Sequence, residues 1–398
     1  MPALQEVTIS SLVYGGWALG RLPDGRAAFV PYLLPGERAR IRVTDSRPGW
    51  VRGRAVELLE ASSQRAAPRC PHFGDCGGCH YQHLSYEAQL AAKQRILTEQ
   101  LSRLAGLTDL PLGPPVPSPN PWCYRNHVQF HRAADGRPGF RAFRSSRVVP
   151  ITECHLPEPE LNELWPRLPR APGGGRFSLR RGTGGPPASG EDPPPGGPPP
   201  APVEFALPFG SFRVSPGSFF QVNTPMAAAL AGEVVHTMTG GLPDGGRNAE
   251  VLDLYCGVGL FSLALAPQAG GVVGVERSAS ACTDFRGNLR GCRNVRLIEG
   301  EVERVLAAGG LHSQAAVADP PRAGLGRRVA QALTAMPGLE LLVYVSCDPA
   351  TLARDAAELA RGGLRLRWLR LFDLFPQTYH IETLSIWSRP GVPDILLS

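Results

Sequence analysis

From residue 250 onward, short apolar runs alternate with helical stretches, and this alternation constrains the fold more than any other sequence feature. The runs are, in order, EVLDLY, GVVGVE, NVRLIEG, AAVADP, LELLVYVSC, LRWLRLFDLF and ETLSIWSR. Runs that are apolar throughout suit strands whose two faces are both buried, as in a parallel sheet covered by helices. The pattern therefore predicts an α/β domain built on a doubly wound sheet.

The first run leads into a glycine turn, Asp253-Leu-Tyr-Cys-Gly257-Val-Gly259, that opens a helix. Glycines at such a turn let the backbone come close to a ligand. Glu276 ends the next strand, where a carboxylate can accept hydrogen bonds from ribose hydroxyls. A dinucleotide fingerprint would place a third glycine near position 262, where Ser262 stands. An acid ahead of the turn instead favours S-adenosylmethionine (SAM), whose cationic groups attract a carboxylate.

Three later motifs sit at strand ends of the same sheet, where open α/β folds bind their ligands. They are DPPRAG at 319–324, VSCDP at 345–349 and HIE at 380–382. Alone, Cys347 would be an inert strand thiol and Glu382 a surface acid. Together they supply a nucleophile for an electron-poor ring carbon and a carboxylate that can then take a proton.

The chain before residue 250 is less regular. Residues 1–62 contain five short strand-like runs between turns, which favours a small β-barrel of the OB type. Residues 121–149 carry six Arg and two His against one acid, with aromatic residues interleaved. This segment suits either an RNA surface or a solvated basic strand pair, and the net charge of +6 suits a polyanionic partner.

Two further features concern disorder and location. Residues 171–202 hold 10 Pro and 9 Gly, which predicts a disordered insertion that interrupts a hairpin between 177–180 and 203–209. No apolar run approaches the ~18 residues that cross a membrane, and the N-terminal residues lack the features of a signal peptide. We therefore expect a cytoplasmic protein without a membrane partner.

In this order along the chain, the motifs resemble those of the RNA uracil-C5 methyltransferases, which make 5-methyluridine in 23S ribosomal RNA and in tRNA. The resemblance covers nearly the whole chain and is carried by FVPYLLPGE of a TRAM-like barrel, CGGC (76–79), YRNHVQF (124–130), SFFQVN (218–223), DLYCGVG (253–259), DPPRAG, SCDPATLARD (346–355) and HIETL (380–384). It is closest to the iron–sulfur members that act on 23S ribosomal RNA. It implies a class I SAM-dependent methyltransferase whose partner is RNA, with 23S ribosomal RNA as the expected substrate and tRNA as the alternative.

The resemblance also implies a role for each matching residue. Cys347 would add to C6 of the target uracil, C5 would attack the SAM methyl group, and Glu382 would remove the C5 proton. Asp319 would lie near the uracil and the methyl donor. The residues implied to bind SAM are Gln221, Tyr255, Gly257, Gly259, Glu276, Glu301 and Asp319. The chain departs from the family at Asp348, often Asn, and at Glu301, commonly Asp or Asn.

Three of the nine cysteines, Cys70, Cys76 and Cys79, lie within ten residues. A zinc site or an iron–sulfur cluster needs a fourth ligand. Spacing does not choose among the candidates, which are Cys123, Cys154, His72, His80 and His83. The family resemblance implies Cys154 and a [4Fe–4S] cluster, with zinc or unliganded thiols as alternatives.

The sequence thus predicts three parts in a monomeric protein. A barrel (1–62) precedes a central iron–sulfur domain (63–218), whose helix at 86–110 packs on the SAM domain (219–398). Two other functions stay open at this point. A NAD-dependent oxidoreductase has no use for Cys347 and Glu382, and a non-catalytic RNA-binding protein needs neither.

Overall fold

The structure is a computed structural model that describes residues 4–168, 175–191 and 201–392. These residues form an N-terminal barrel, a central antiparallel sheet with a long helix, and a C-terminal sheet flanked by helices. No helix in the described ranges is both long and apolar enough to cross a bilayer.

The barrel is closed and has the strand order β1-β2-β3-β5-β4, with β1 and β4 completing the ring. Its strands are β1 (Gln5–Val13), β2 (Trp17–Arg21), β3 (Ala27–Pro31), β4 (Arg38–Arg47) and β5 (Trp50–Glu60). Alternate side chains point inward, so that Val7, Ile9 and Ile41 are buried while their chain neighbours face solvent. The predicted small barrel is confirmed.

The central part begins with helix α1 (Tyr86–Ala105). Ser85 caps its first turn by accepting the N–H of Ala88, and Gly106 ends it in the left-handed conformation at φ 69°. The helix therefore stops short of the predicted residue 110. Leu97 and Leu101 belong to the apolar cluster that covers one face of the C-terminal sheet.

The central sheet has the order β10-β9-β6-β7-β8. Its elements are β6 (His127–Arg132), β7 (Pro138–Arg141), β8 (Val148–Pro150), helix α2 (Pro159–Leu164), β9 (Arg176–Arg181) and β10 (Pro187–Glu191). Phe130 lies at its centre, stacked on Phe140 and Phe177 with ring centroids 5.1 Å apart in both pairs.

The prediction of a disordered insertion over 171–202 is wrong for residues 176–191. There β9 pairs with both β6 and β10, and the hairpin predicted between 177–180 and 203–209 does not form. The reason is that Phe177 and Leu179 alternate with polar neighbours and are buried against Phe130, which outweighs the Pro/Gly-rich composition. The rest of that insertion, residues 171–174 and 192–200, lies outside the described residues.

The C-terminal sheet has seven strands in the order β15-β14-β13-β16-β17-β19-β18. A separate two-stranded hairpin precedes it, formed by β11 (Val203–Leu207) and β12 (Gly210–Val214). The elements that follow are α3 (Thr224–Gly241), β13 (Glu250–Leu254), α4 (Leu260–Leu265), β14 (Gly271–Glu276), α5 (Ala279–Asn288), β15 (Val295–Glu299), α6 (Val302–Ala307), β16 (Ala315–Ala318), α7 (Gly326–Ala335), β17 (Leu341–Ser346), α8 (Pro349–Arg361), β18 (Arg365–Phe372) and β19 (Glu382–Ser388). All seven apolar runs of the sequence form its strands. Only β19 runs antiparallel to both of its neighbours.

The β11–β12 hairpin packs with the C-terminal sheet. Phe205 and Phe212 are buried in one apolar cluster with residues of α3 and α4. The boundary predicted at 218/219 placed this hairpin in the central domain, because no residue pattern identifies the surface on which a hairpin packs.

Candidate functional site

Four acidic or nucleophilic side chains meet at the carboxyl edge of the C-terminal sheet. Asp253 stands in β13, Asp319 directly follows β16, and Cys347 directly follows β17. Because β19 is antiparallel to β17, its first residues return to the same edge, and Thr383 pairs with Ser346. Glu382 and Cys347 each adjoin one member of that pair, so the strand register brings them together.

The thiol of Cys347 is half-buried in a negative environment. Burial, followed by the charges of Glu382, Asp319 and Asp348, raises its pKa to about 12, while Arg322 acts in the opposite direction. The thiol is therefore protonated at neutral pH in the free protein. Its conversion to the nucleophilic thiolate requires a neighbouring group that accepts the proton.

The two neighbouring acids are suited to accept and hold protons. Burial and the charge of Asp253 raise the pKa of Asp319 to about 7. Glu382 is 3 % exposed, and burial together with Asp319 raises its pKa well above the ordinary value. Buried carboxyl groups whose pKa values are raised in this way are typical of general acid–base sites.

Beside these acids, the turn after β13 runs through left-handed backbone at Tyr255, Gly257 and Gly259. A Cβ added to Gly259 would lie 2.4 Å from the Leu289 side chain, whereas one on Gly257 would meet nothing within 4 Å. Glycine at 259 is thus required by packing. The space beside Gly257 is open, which leaves the backbone accessible to a ligand.

Glu276 holds this turn against the end of β14. One carboxylate oxygen accepts the N–H of Gly257 at 3.1 Å, and the other accepts the N–H groups of Arg277 and Ser278 at 2.8 and 2.7 Å. The sequence predicted Glu276 as a ribose contact. The structure shows in addition that Glu276 organises the glycine turn.

Asp253 is fully buried beneath the turn. Its Oδ2 accepts the hydroxyl of Ser262 at 2.6 Å, while its Oδ1 has no hydrogen-bond partner among the described residues. Burial raises its pKa to about 7. Ser262, at the position where a dinucleotide fingerprint would carry a third glycine, therefore orients the Asp253 carboxyl group. The Oδ1 atom of Asp253 is left to accept from a cationic or hydrogen-bonding ligand.

Gln221 and Glu301, two further predicted SAM contacts, lie in different environments. Gln221 is buried, and its side-chain amide nitrogen is 3.5 Å from Asp319 Oδ2, while its backbone carbonyl oxygen accepts a hydrogen bond from the side-chain amide of Asn126 at 3.0 Å. Glu301 begins α6 at the exposed surface, where it pairs with Arg304 at 3.1 Å. Gln221 thus contacts the acid cluster, whereas Glu301 lies 3.7 Å from Arg277, the residue that follows Glu276.

Two residues apart, His380 and Glu382 would face the same side of one strand, but β19 begins at Glu382 and His380 precedes it. His380 Nδ1 lies 3.3 Å from the guanidinium of Arg322. This contact joins the DPPRAG loop to the segment that leads into β19. Arg322 was not singled out from the sequence, although its place in that motif was a signal.

A second site lies between the Cys-rich segment and the central sheet. Cys70, Cys76, Cys79 and Cys154 all line one cavity of about 160 Å³, and Arg125 lines it too. Of the other candidate ligands, His72 lines the cavity, whereas Cys123, His80 and His83 do not. His72 Nε2 lies 2.9 Å from the backbone N–H of Thr152.

These four thiols are mostly shielded from water. Burial raises the pKa of all four, to about 11 for Cys76 and about 12 for Cys154, and Arg125 lowers the pKa of Cys79 and Cys154. Within the described ranges, no three His, Cys, Asp or Glu side chains are arranged as ligands of one metal ion. The four thiols surround a cavity rather than a single point.

Two protein-family models match separate parts of the chain, one over the C-terminal sheet and one over the barrel. Residues 210–389 match the model of the tRNA (Uracil-5-)-methyltransferase family, and residues 3–56 match the TRAM domain model. The chain is 37% identical to an uncharacterized RNA methyltransferase of Streptomyces coelicolor, over 96% of this chain and 92% of the relative. It is 33% identical to a 23S rRNA (uracil(1939)-C(5))-methyltransferase of Pseudomonas aeruginosa, over 96% and 94% of the two chains.

Among solved structures, the fold is similar to that of the Pyrococcus abyssi tRNA (uracil-54, C5)-methyltransferase in complex with S-adenosyl-L-homocysteine. The TM-score is 0.70 at 24% identity, and the match covers 96% of this chain and 99% of that one. The similarity therefore extends over the barrel, the central sheet and the C-terminal sheet together.

Proposed function

Since the chain belongs to the RNA (uracil-5-)-methyltransferase family and is a SAM-dependent enzyme, we propose that it methylates C5 of a uridine in 23S ribosomal RNA with Cys347 as the nucleophile. The observation that carries this proposal is the meeting of Cys347, Glu382 and Asp319 at the sheet edge beside the glycine turn. A thiol with two proton-accepting neighbours fits covalent activation of a pyrimidine.

In the proposed mechanism, Asp319 accepts the proton of the Cys347 thiol, and the resulting thiolate adds to C6 of the uracil and leaves C5 electron-rich. Bound SAM would supply the methyl group that C5 attacks, with its sulfonium–methyl bond broken and S-adenosylhomocysteine as the leaving group. Glu382 takes the proton from C5, and elimination breaks the C6–S bond and restores Cys347. Burial and the charge of Asp319 raise the pKa of Glu382, which makes its carboxylate a stronger acceptor for this proton.

The residues present fit a SAM site at the glycine turn. The unpartnered Oδ1 of Asp253 and the open space beside Gly257 support ligand binding there. We propose that the bound cofactor contacts Tyr255, Gly257, Gly259, Glu276, Gln221 and Glu301. Asp319, held by Gln221, would face both the methyl donor and the uracil.

Two observations favour a folded RNA of ribosomal type. The similar Pseudomonas aeruginosa protein is named a 23S rRNA methyltransferase. The barrel also presents Arg52 at 4.9 Å from the ring centre of Trp50 and 5.5 Å from that of Trp17, an arrangement on which unstacked bases can stack. The target uracil must leave its stack to reach Cys347. A ribosomal substrate would place the enzyme in the cytoplasm, and tRNA remains the alternative substrate.

Deletion of the gene is expected to remove a 5-methyluridine from 23S ribosomal RNA and to leave tRNA unchanged. Nuclease digestion with mass spectrometry of the separated RNAs would map the modification, and re-expression of the wild-type chain would restore it. Loss of 5-methyluridine from tRNA, with every 23S position retained, would contradict the ribosomal assignment.

We further propose that Cys70, Cys76, Cys79 and Cys154 hold a [4Fe–4S] cluster. Such clusters are bound by four cysteine thiolates, and four partly buried thiols around one cavity fit that ligand set. Arg125 would offset part of the negative charge of the thiolates. The proposed methyl transfer has no redox step, so the cluster would have a structural or RNA-positioning role.

Protein purified without oxygen is expected to be brown and to contain about four irons per chain. Cys154→Ser should lose the iron because it removes a ligand from the cavity, whereas Cys123→Ser should retain it because Cys123 does not line the cavity. Metal analysis and the visible absorption spectrum would measure both. Stoichiometric zinc after iron-replete anaerobic expression would refute the assignment.

A further inference from the structure

The turn between β1 and β2 brings the barrel into contact with the loop that carries Cys347. The hydroxyl of Tyr14 donates a hydrogen bond to Asp348 Oδ2 at 3.0 Å, and Asp348 directly follows Cys347. The other carboxylate oxygen accepts the backbone N–H groups of Ala350 and Thr351 at 2.9 and 3.1 Å. Asp348 is thus the N-cap of α8 on one side and the acceptor of a barrel tyrosine on the other.

The turn that carries Tyr14 is itself closely packed. A Cβ added to Gly16 would lie 2.8 Å from the ring of His80 and 2.9 Å from that of Tyr379. The rings of Tyr14 and Tyr379 meet edge to face at 5.8 Å. Since Gly16 has φ 81° and no room for a side chain, the position of Tyr14 is fixed by the docked barrel rather than by a mobile loop.

The charges that face Cys347 come from three elements. Glu382 belongs to β19, Asp319 and Arg322 follow β16, and Asp348 caps α8. Of these, Asp348 is the neighbour of Cys347 in the chain, so its rotamer and its charge bear directly on the thiol. The hydrogen bond from Tyr14 holds the Asp348 side chain in one rotamer and offsets part of the negative charge of its carboxylate.

We propose that Tyr14 is a positioning residue for methyl transfer, which fixes the Cys347 loop through Asp348 and so makes the barrel part of the active site. This role rests on the proposed function of Cys347 as the nucleophile. It goes beyond RNA binding by the barrel, because it concerns the rate of the covalent step and not the affinity for RNA.

The test measures covalent addition of Cys347 to RNA that contains 5-fluorouridine, followed over time at increasing RNA concentration in the presence of SAM. Tyr14→Phe should lower the maximal rate about tenfold, the lower range expected for loss of a hydrogen bond to a charged group. The RNA concentration at half-maximal rate should stay within about twofold, because Phe keeps the ring and its packing.

Two further variants separate positioning from general damage. Tyr81→Phe is the matched control, since Tyr81 is buried beside the barrel and its hydroxyl has no hydrogen-bond partner among the described residues. Its maximal rate should equal that of the wild type. Asp348→Asn keeps an N-cap oxygen and removes the charge, so adding Tyr14→Phe to it should cost less than about threefold.

Three results would overturn the proposal. The first is an unchanged maximal rate in Tyr14→Phe, and the second is a change confined to the dependence of the rate on RNA concentration. The third is a loss of maximal rate from Tyr14→Phe that is equally large when Asp348→Asn is also present. If the wild-type protein formed no adduct at all, the nucleophile assignment would fail first, and the role of Tyr14 would fail with it.

Discussion

Replacing Cys347 with alanine is expected to lower methyl transfer to RNA by at least about 10³-fold, because without the thiol nothing adds to C6 and C5 stays a poor nucleophile. SAM affinity should remain nearly that of the wild type. The glycine turn, where we propose that SAM binds, is held by Asp253 and Glu276, and these hydrogen bonds do not involve the thiol.

Transfer of a radiolabelled methyl group to RNA would measure the activity, and calorimetric titration would measure SAM binding. Cys292→Ala is the matched control, since Cys292 is a partly buried thiol that packs against the cluster of Cys256, Phe285 and Leu289 and is not among the groups that act on Cys347. Residual activity within tenfold of the wild type in Cys347→Ala would exclude the thiol as nucleophile.

Glu382→Gln is expected to trap protein and methylated RNA in one covalent complex, even with ordinary uridine. Addition by Cys347 and methylation at C5 can still take place, but glutamine cannot accept the C5 proton, so elimination stops. Turnover should fall by at least about 10²-fold while the complex accumulates.

A denaturing gel with methyl-labelled SAM would detect this complex as radiolabel that migrates with the protein. Glu340→Gln serves as control, because Glu340 is exposed next to the opposite end of β17 and should behave as the wild type. Normal turnover in Glu382→Gln would assign the proton transfer to another group, with Asp319 the first candidate.

The C-terminal sheet could be predicted from the sequence because its strands are buried on both faces and read as continuous apolar runs. The motifs after β13, β16 and β17 could be placed together because parallel strands end at one edge. The partnership of Glu382 with Cys347 required one more fact, the antiparallel direction of β19, which periodicity does not encode.

Features set by tertiary packing were not predictable. The strand pair β9–β10 lies in a Pro/Gly-rich stretch whose composition indicated disorder, and only its packing on Phe130 explains it. Lys93, the single lysine of the chain, is fully buried and donates to Asp373 at 2.6 Å, a contact between residues far apart in sequence. The bond from Tyr14 to Asp348 is a contact of the same kind.

The most direct test of the account is covalent trapping of the wild-type protein on RNA in which 5-fluorouridine replaces uridine. Fluorine at C5 cannot be removed as a proton is, so elimination should stall after Cys347 has added to C6 and C5 has been methylated. We expect mass spectrometry of the digested complex to find the nucleotide on the peptide that contains Cys347. Absence of an adduct in the presence of SAM, or attachment at another cysteine, would contradict the proposed mechanism.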